Sequence, residues 1–236
     1  MFVRFRFTQF RVALPSMRDA PSPTADAGAV MNRRQAAKVR TRGKVMASAR
    51  DLFARHGYDP ATIRDIAKGA GMSTGAVFAN FQDKAELFEA VLAEDLARVA
   101  GEMQAAAKAD GPARKRLNAA LTAGYRATLD QLPLVQAVVA RGWFHPADAE
   151  RRAREAMRPL NGLMAELLSG AAARGEIARD ADLDLIGGMI WTAFVSGFRR
   201  AAYDGQDLKA LSSTLERQID LIFAGAAGRQ AQLSAA

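Results

Sequence analysis

The stretch Thr62 to Leu87, TIRDIAKGAGMSTGAVFANFQDKAEL, constrains this chain more than any other part of it. The Thr62 hydroxyl can accept a hydrogen bond from the first turn of a helix, with Asp65 three residues on completing a capping box. Ile63, Ile66, Ala67 and Ala70 recur on one face of that helix. Gly71 supplies a turn in which positive φ is costly for other residues. Ser73 caps a second helix reaching about Asn80, with Val77 and Phe81 directed inward. Asp83 and Glu86 form another capping box and open a long helix to about Ala109. Ala67 is small where the first two helices cross, and Ile66, Met72 and Val77 anchor them. The pattern is a helix-turn-helix, whose second helix enters the major groove of DNA with its N-terminal residues at base edges.

Charge agrees with that placement. Residues 1–30 hold four Arg against two Asp, and residues 31–83 hold ten Lys or Arg against four Asp. From Lys84 onward the two signs balance at nineteen each, so the net charge of +8 lies wholly in the first third. A basic head on a neutral body suits a polyanion partner for the head and another task for the body.

The whole chain reads as all-α. From Arg34 to His56 the pattern is helical, with Val45, Ala49, Leu52 and Phe53 on one stripe and Gly57 as a C-terminal cap. Pro112, Pro133 and Pro146 stand where first turns can begin, which predicts helices at roughly 112–131, 133–142 and 146–174, the last bent at Pro159. Asp182 opens an apolar helix to about Tyr203, and a final helix runs from Asp207 to Ala224. The sum is nine helices and no strand. Three regions follow: an extension over 1–30 that reads as disordered, a helix-turn-helix domain over 31–82, and a larger helical domain over 83–228 for ligand binding and dimerisation.

Recognition should rest on the second helix. Its outward side chains Ser73, Thr74, Gly75 and Ala76 are small, which lets backbone approach DNA and leaves base readout to Thr74 and to apolar contact with thymine methyls. Phe78 and Asn80 follow on the same helix. Phosphate contacts are expected from Thr62, from Lys84 at a helix start, and from a basic cluster that includes Arg33, Arg34 and Arg42.

The segment GAGMSTGAVFANFQDKAELF resembles the DNA-binding head of the tetracycline-repressor (TetR) family of bacterial transcriptional regulators. The turn glycine, Ser73, Gly75, Phe81 and Lys84 stand at that family's spacing, and the match covers about residues 44–88. Phe78 stands where the family usually has tyrosine, so a hydroxyl-to-phosphate contact is lost. Asn80 replaces a usual tyrosine or histidine. The resemblance implies a homodimer on a palindromic operator, most simply a repressor, and a C-terminal domain that releases DNA when it binds a small-molecule effector.

Dimerisation has its own signal in the sequence. Ile186, Ile190, Phe194 and Phe198 line the penultimate helix with small Gly197 among them, and Leu211, Leu215, Ile219 and Ile222 line the last. Two helices from each chain would make a four-helix bundle. A ligand pocket would draw on Met103, Tyr125, Arg141, Trp143, Phe144, His145, Met157, Met164 and Trp191.

Catalysis finds little material. The chain has no cysteine, only His56 and His145, no glycine-rich phosphate loop and no metal-ligand spacing, so no cofactor, no metal and no enzymatic activity are expected. No apolar run reaches membrane-spanning length, and the absence of cysteine suits a reducing cytoplasm. The rival reading is a helical module for a small molecule or a partner, without sequence-specific DNA binding.

Overall fold

The computed structural model describes residues 33–141 and 147–227; the N-terminal extension lies outside them. Among the described residues the chain forms nine α-helices and no strand. They are α1 (Arg33–His56), α2 (Ile63–Gly69), α3 (Thr74–Phe78), α4 (Lys84–Ala106), α5 (Ala113–Thr128), α6 (Leu132–Arg141), α7 (Ala147–Ala173), α8 (Leu183–Asp204) and α9 (Leu208–Ala226), with a 3-10 turn over Leu129–Gln131.

Local chemistry sets the helix ends. Thr62, Ser73, Asp83, Asp182 and Asp207 are N-caps whose side-chain oxygens each accept a backbone N–H of the first turn. The two boxes close differently from expectation. The Asp65 carboxylate accepts from the Thr62 hydroxyl at 2.6 Å, and Glu86 accepts from the backbone N–H of Gln82 at 2.6 Å. The α4–α5 connection is fixed from a distance: Glu176 accepts from Ala113 N–H at 2.6 Å, and Arg116 donates to the Ala107 carbonyl at 2.7 Å. Pro159 sits inside the continuous helix α7.

Two apolar cores result. The smaller gathers Val45, Phe53, Ile66, Val77, Phe81 and Leu87. The larger gathers side chains from α4 through α9, including Leu117, Leu121, Leu167, Ile190 and Leu215. Helix α4 serves both: Leu87, Phe88 and Val91 lie in the small core, and Val99, Ala100 and Met103 in the large one. Helix α6 is divided too, since Leu134 is buried with the small core while Leu132 and Val135 pack on the large. Ions reinforce the α1–α4 contact. Arg50 bonds Glu94 at 2.7 Å and Asp95 at 3.0 Å, and Asp95 is itself buried. Burial by itself would lower the Arg50 pKa; the bonds and charges of the two carboxylates override it and raise it.

The apolar stripes of α8 and α9 correct an expectation. Ile186, Ile190, Phe194, Phe198, Leu211, Leu215 and Ile219 are buried in their own chain's core, and Ile222 packs against its edge. These residues fill the core of their own chain. An apolar stripe says only that one helix face is covered, and here the chain covers it. Gly197 is buried for the same purpose, as room for Tyr125. The Tyr125 hydroxyl donates to the Phe194 carbonyl at 2.7 Å and its ring stacks on Phe194 at 4.6 Å. Burial pushes the pKa of this phenol up.

A methyl group at position 197 would meet the Tyr125 hydroxyl and stand 2.7 Å from Cζ of the ring. Gly197→Ala is therefore expected to destabilise the larger core by about 1–3 kcal/mol, as overpacking usually does. Gly101, inside α4 with nothing within 4 Å of an added Cβ, gives the contrast. Gly101→Ala should stabilise by about 0.5–1 kcal/mol through helix propensity. Urea unfolding of the two variants beside the parent protein measures both.

Candidate nucleic-acid interface

A five-residue helix has no stability of its own, so α3 depends on what it buries. Val77 and Phe81 are fully covered, each contributing about 1.5–3 kcal/mol of apolar burial. At its start, the Ser73 hydroxyl accepts from Ala76 N–H at 3.3 Å. Before it, Gly71 turns the chain at φ 68°. At its end, the carbonyl of Asn80 accepts from Arg42 at 3.0 Å, and the Arg42 guanidinium lies 4.1 Å from the centre of the Phe81 ring. The short helix is thus pinned on its inner side and at both ends.

Its outer side is open. Thr74, Gly75, Phe78 and Ala79 are exposed, and Phe78 keeps 55% of its surface in solvent. Positions 74 and 78, and 75 and 79, are one turn apart, so these four residues make one strip. Ala76 is half-buried, and the expectation that it points outward needs correcting. Ala79, which sequence reasoning omitted, takes its place; its four-residue spacing from Gly75 was the available signal. The Asn80 side chain is engaged locally. Its amide donates to the Ala76 carbonyl at 2.9 Å and its Oδ1 is buried. The side chain finishes its own helix and is not presented for a base.

Lys84 is engaged within the head. Its ammonium donates to the carbonyls of Tyr58, Asp59 and Ala61 at 3.0, 3.2 and 3.0 Å, and sits 4.2 Å from the centre of the Tyr58 ring. An ammonium has three donors, and all three are engaged inside the protein. The residue knots the α1–α2 loop to the start of α4. Side-chain contact with a phosphate would require giving up one of these bonds. Thr62, an exposed N-cap, and Arg42, half-buried with donors left over, stand at the edges of the same head. The side chains of Arg33 and Arg34 lie outside the described part of the structure.

Five of the expected pocket residues are described, and all five lie in or against the larger core. Met103, Tyr125 and Met164 are buried in the larger core, while Met157 and Trp191 pack against it half-covered. Trp143, Phe144 and His145 lie outside the described residues, as does the Arg141 side chain. An open cleft of about 510 Å³ lies where α4 ends, α5 begins and α7 passes, lined by Lys108, Arg116, Leu163 and Glu166 among others. None of the expected residues borders it. Among the described residues, no three His, Cys, Asp or Glu side chains group to hold a metal ion.

Known proteins bear on these observations as follows. Residues 45–91 match the family model described as bacterial regulatory proteins, tetR family. The chain is 45% identical over 62 residues to the HTH-type transcriptional repressor AcnR of Corynebacterium efficiens, covering 26% of this chain and 33% of that one. Thus the chain spans about a third of the length of the curated repressors it matches. A longer likeness joins it to the HTH-type transcriptional regulator UidR of Escherichia coli, 23% identical over 72% of this chain and 90% of that protein. Among solved structures, FadR of Bacillus subtilis in complex with stearoyl-CoA has a TM-score of 0.67 at 17% identity, covering 78% of this chain and 98% of that one. This last likeness shows the shared fold.

Lys84→Met keeps the stem and removes the three donors. It is expected to cost about 1–3 kcal/mol of stability, because three carbonyls lose a charged partner. Urea unfolding gives the magnitude. An unchanged midpoint would mean that water replaces the ammonium without loss.

Proposed function

We propose, on the premise that this chain belongs to the TetR family of bacterial regulatory proteins, that it is a repressor binding a palindromic operator as a homodimer and released by a small molecule. The observation that carries this reading is the state of α3. A five-residue helix is clamped from behind by Val77, Phe81 and Arg42 and left bare in front. It lies within the stretch that holds ten cations against four anions. Phosphate attraction supplies affinity there, and the bare strip supplies sequence preference.

Dimerisation belongs to the faces of α8 and α9 opposite the stripes that fill the core. On α8 the exposed positions Leu185, Met189, Thr192, Ser196 and Tyr203 follow helical spacing. Leu221, 73% exposed, stands on α9 with the exposed small residues Ala210, Ser213 and Ala224. Apolar side chains among small ones let two helix pairs approach closely. A dimer so formed would set two copies of α3 into successive major grooves, ~34 Å apart. The effector is held by the larger core, and stearoyl-CoA, seen in the Bacillus subtilis neighbour, is a suitable first probe. The protein acts beside the chromosome in the cytoplasm. Among the described residues no helix is long and apolar enough to cross a membrane.

Selection of bound sites from random duplexes tests the reading. The expected product is an inverted repeat with half-site centres about one helical turn apart, bound with an affinity that falls steeply as salt rises. Failure to enrich any sequence would overturn it. Separately, Met189→Glu together with Leu221→Glu should yield monomers by sedimentation while the helical circular-dichroism spectrum is kept, since both positions are exposed in the single chain. Those monomers should bind a single half-site no better than they bind the full repeat.

A further inference from the structure

The exposed strip of α3 has an unusual chemical character for a surface meant to read bases. The side chains that recognise base edges by paired hydrogen bonds are Arg, Lys, Asn and Gln. None of these stands in the strip. Thr74 has one hydroxyl, Gly75 has no side chain, and Phe78 and Ala79 are apolar. The nearest candidates are engaged within the head: Asn80 bonds the Ala76 carbonyl, Arg42 lies on Phe81 and gives one donor to the Asn80 carbonyl, and Lys84 is spent on three loop carbonyls. Phe78, by contrast, holds a ring in water at 55% exposure. A ring on a bare helix face has a natural partner in the major groove, where thymine alone of the four bases presents a methyl group.

We infer that Phe78 reads sequence by packing on the C5-methyl group of thymine, so that this head selects operators largely by apolar contact. The inference rests on the reading of α3 as the recognition helix. Thr74, one turn before Phe78, supplies a second methyl and a hydroxyl to the same patch of groove. Gly75 and Ala79 keep the neighbouring surface low, so the ring stands above it and reaches the base edge first. Phosphate contacts are left to groups outside the strip. Base preference and salt dependence therefore belong to separate residues.

The test uses the intact protein and the best duplex recovered from random sequences. Each thymidine in a half-site is replaced in turn by deoxyuridine, which removes one methyl and keeps every hydrogen-bonding group. Binding is followed by fluorescence anisotropy at several salt concentrations. At one or two positions per half-site, the methyl loss should weaken binding about fourfold, the factor that corresponds to one buried carbon at ~0.8 kcal/mol. The salt slope should not change, because no phosphate contact is lost. Phe78→Ala, a change at an exposed site, should bind the thymidine and deoxyuridine duplexes equally at one of those positions. Uniform tolerance of deoxyuridine by the parent protein would overturn the inference. So would an undiminished penalty in Phe78→Ala. A protein that enriches no duplex at all fails at the earlier step, and that failure is told apart by the absence of salt-dependent binding to any DNA.

Discussion

Helix α4 is buried at both ends by different partners, and the rest of the molecule is arranged around that fact. Its first turns lie against Phe53 and Phe81, with Phe88 meeting the Phe53 ring edge-on at 5.1 Å. Its last turns lie against α5 and the interior of the larger core. Arg50 and Lys84 then tie its N-terminal half to α1 and to the loop after it. Because interiors are close-packed, a helix held in this way transmits displacement and does not absorb it. The orientation of α3 is set against the same buried side chains, so the position of the recognition strip follows from α4.

The division of polar labour is a consequence of that arrangement. Lys84 and Arg42 each work as a structural clamp in the packed head. Three carbonyls of the α1–α2 loop, those of Tyr58, Asp59 and Ala61, are gathered by the Lys84 ammonium. Arg42 does the same for the carbonyl at the end of α3 while covering Phe81. A buried carbonyl without a partner costs more than a surface phosphate contact returns, so these cations are drawn inward. The exposed strip of α3 is left with a hydroxyl, two small surfaces and a ring.

Much of this was legible in the sequence, and the reasons are local. Ser, Thr and Asp before apolar-periodic runs marked the N-terminal ends, because a cap needs only its own first turn. Gly71 marked the turn, because its φ is forced by two adjacent helices. Val77 and Phe81 read as anchors, since a helix that short can hide only one face. The faces of α8 and α9 did not read correctly. Ile190 and Leu215 have the periodicity of an interface, and equally that of a core, and only the packing of α5 and α7 against them decides which. The loop bonds of Lys84 were hidden for a similar reason. Its partners lie 23 to 26 residues away, and no pattern near it reports where those carbonyls point. Met103, Tyr125 and Met164 carry the composition of a pocket, which is the composition of a core as well.

Helix α6 adds a second route between the two cores. Leu134 reaches the smaller one beside α1, where the Pro133 carbonyl lies 3.4 Å from the place a Cβ of Gly57 would occupy, while Leu132 and Val135 remain with the larger. A ligand bound anywhere in the larger core would therefore meet the head along two helices, α4 and α6, that enter it at different points. Moving both together would carry the head as a rigid unit; moving one against the other would shear α1 against α4 at Arg50. The ionic contact there is partly exposed and contributes on the order of 1 kcal/mol, so the shear is resisted chiefly by Phe53, Phe88 and Val91. Such a ligand shifts the population of head orientations only by the difference in its affinity for the two arrangements. Where α4 passes from one core to the other stands Asp95, the one charged side chain buried among the described residues.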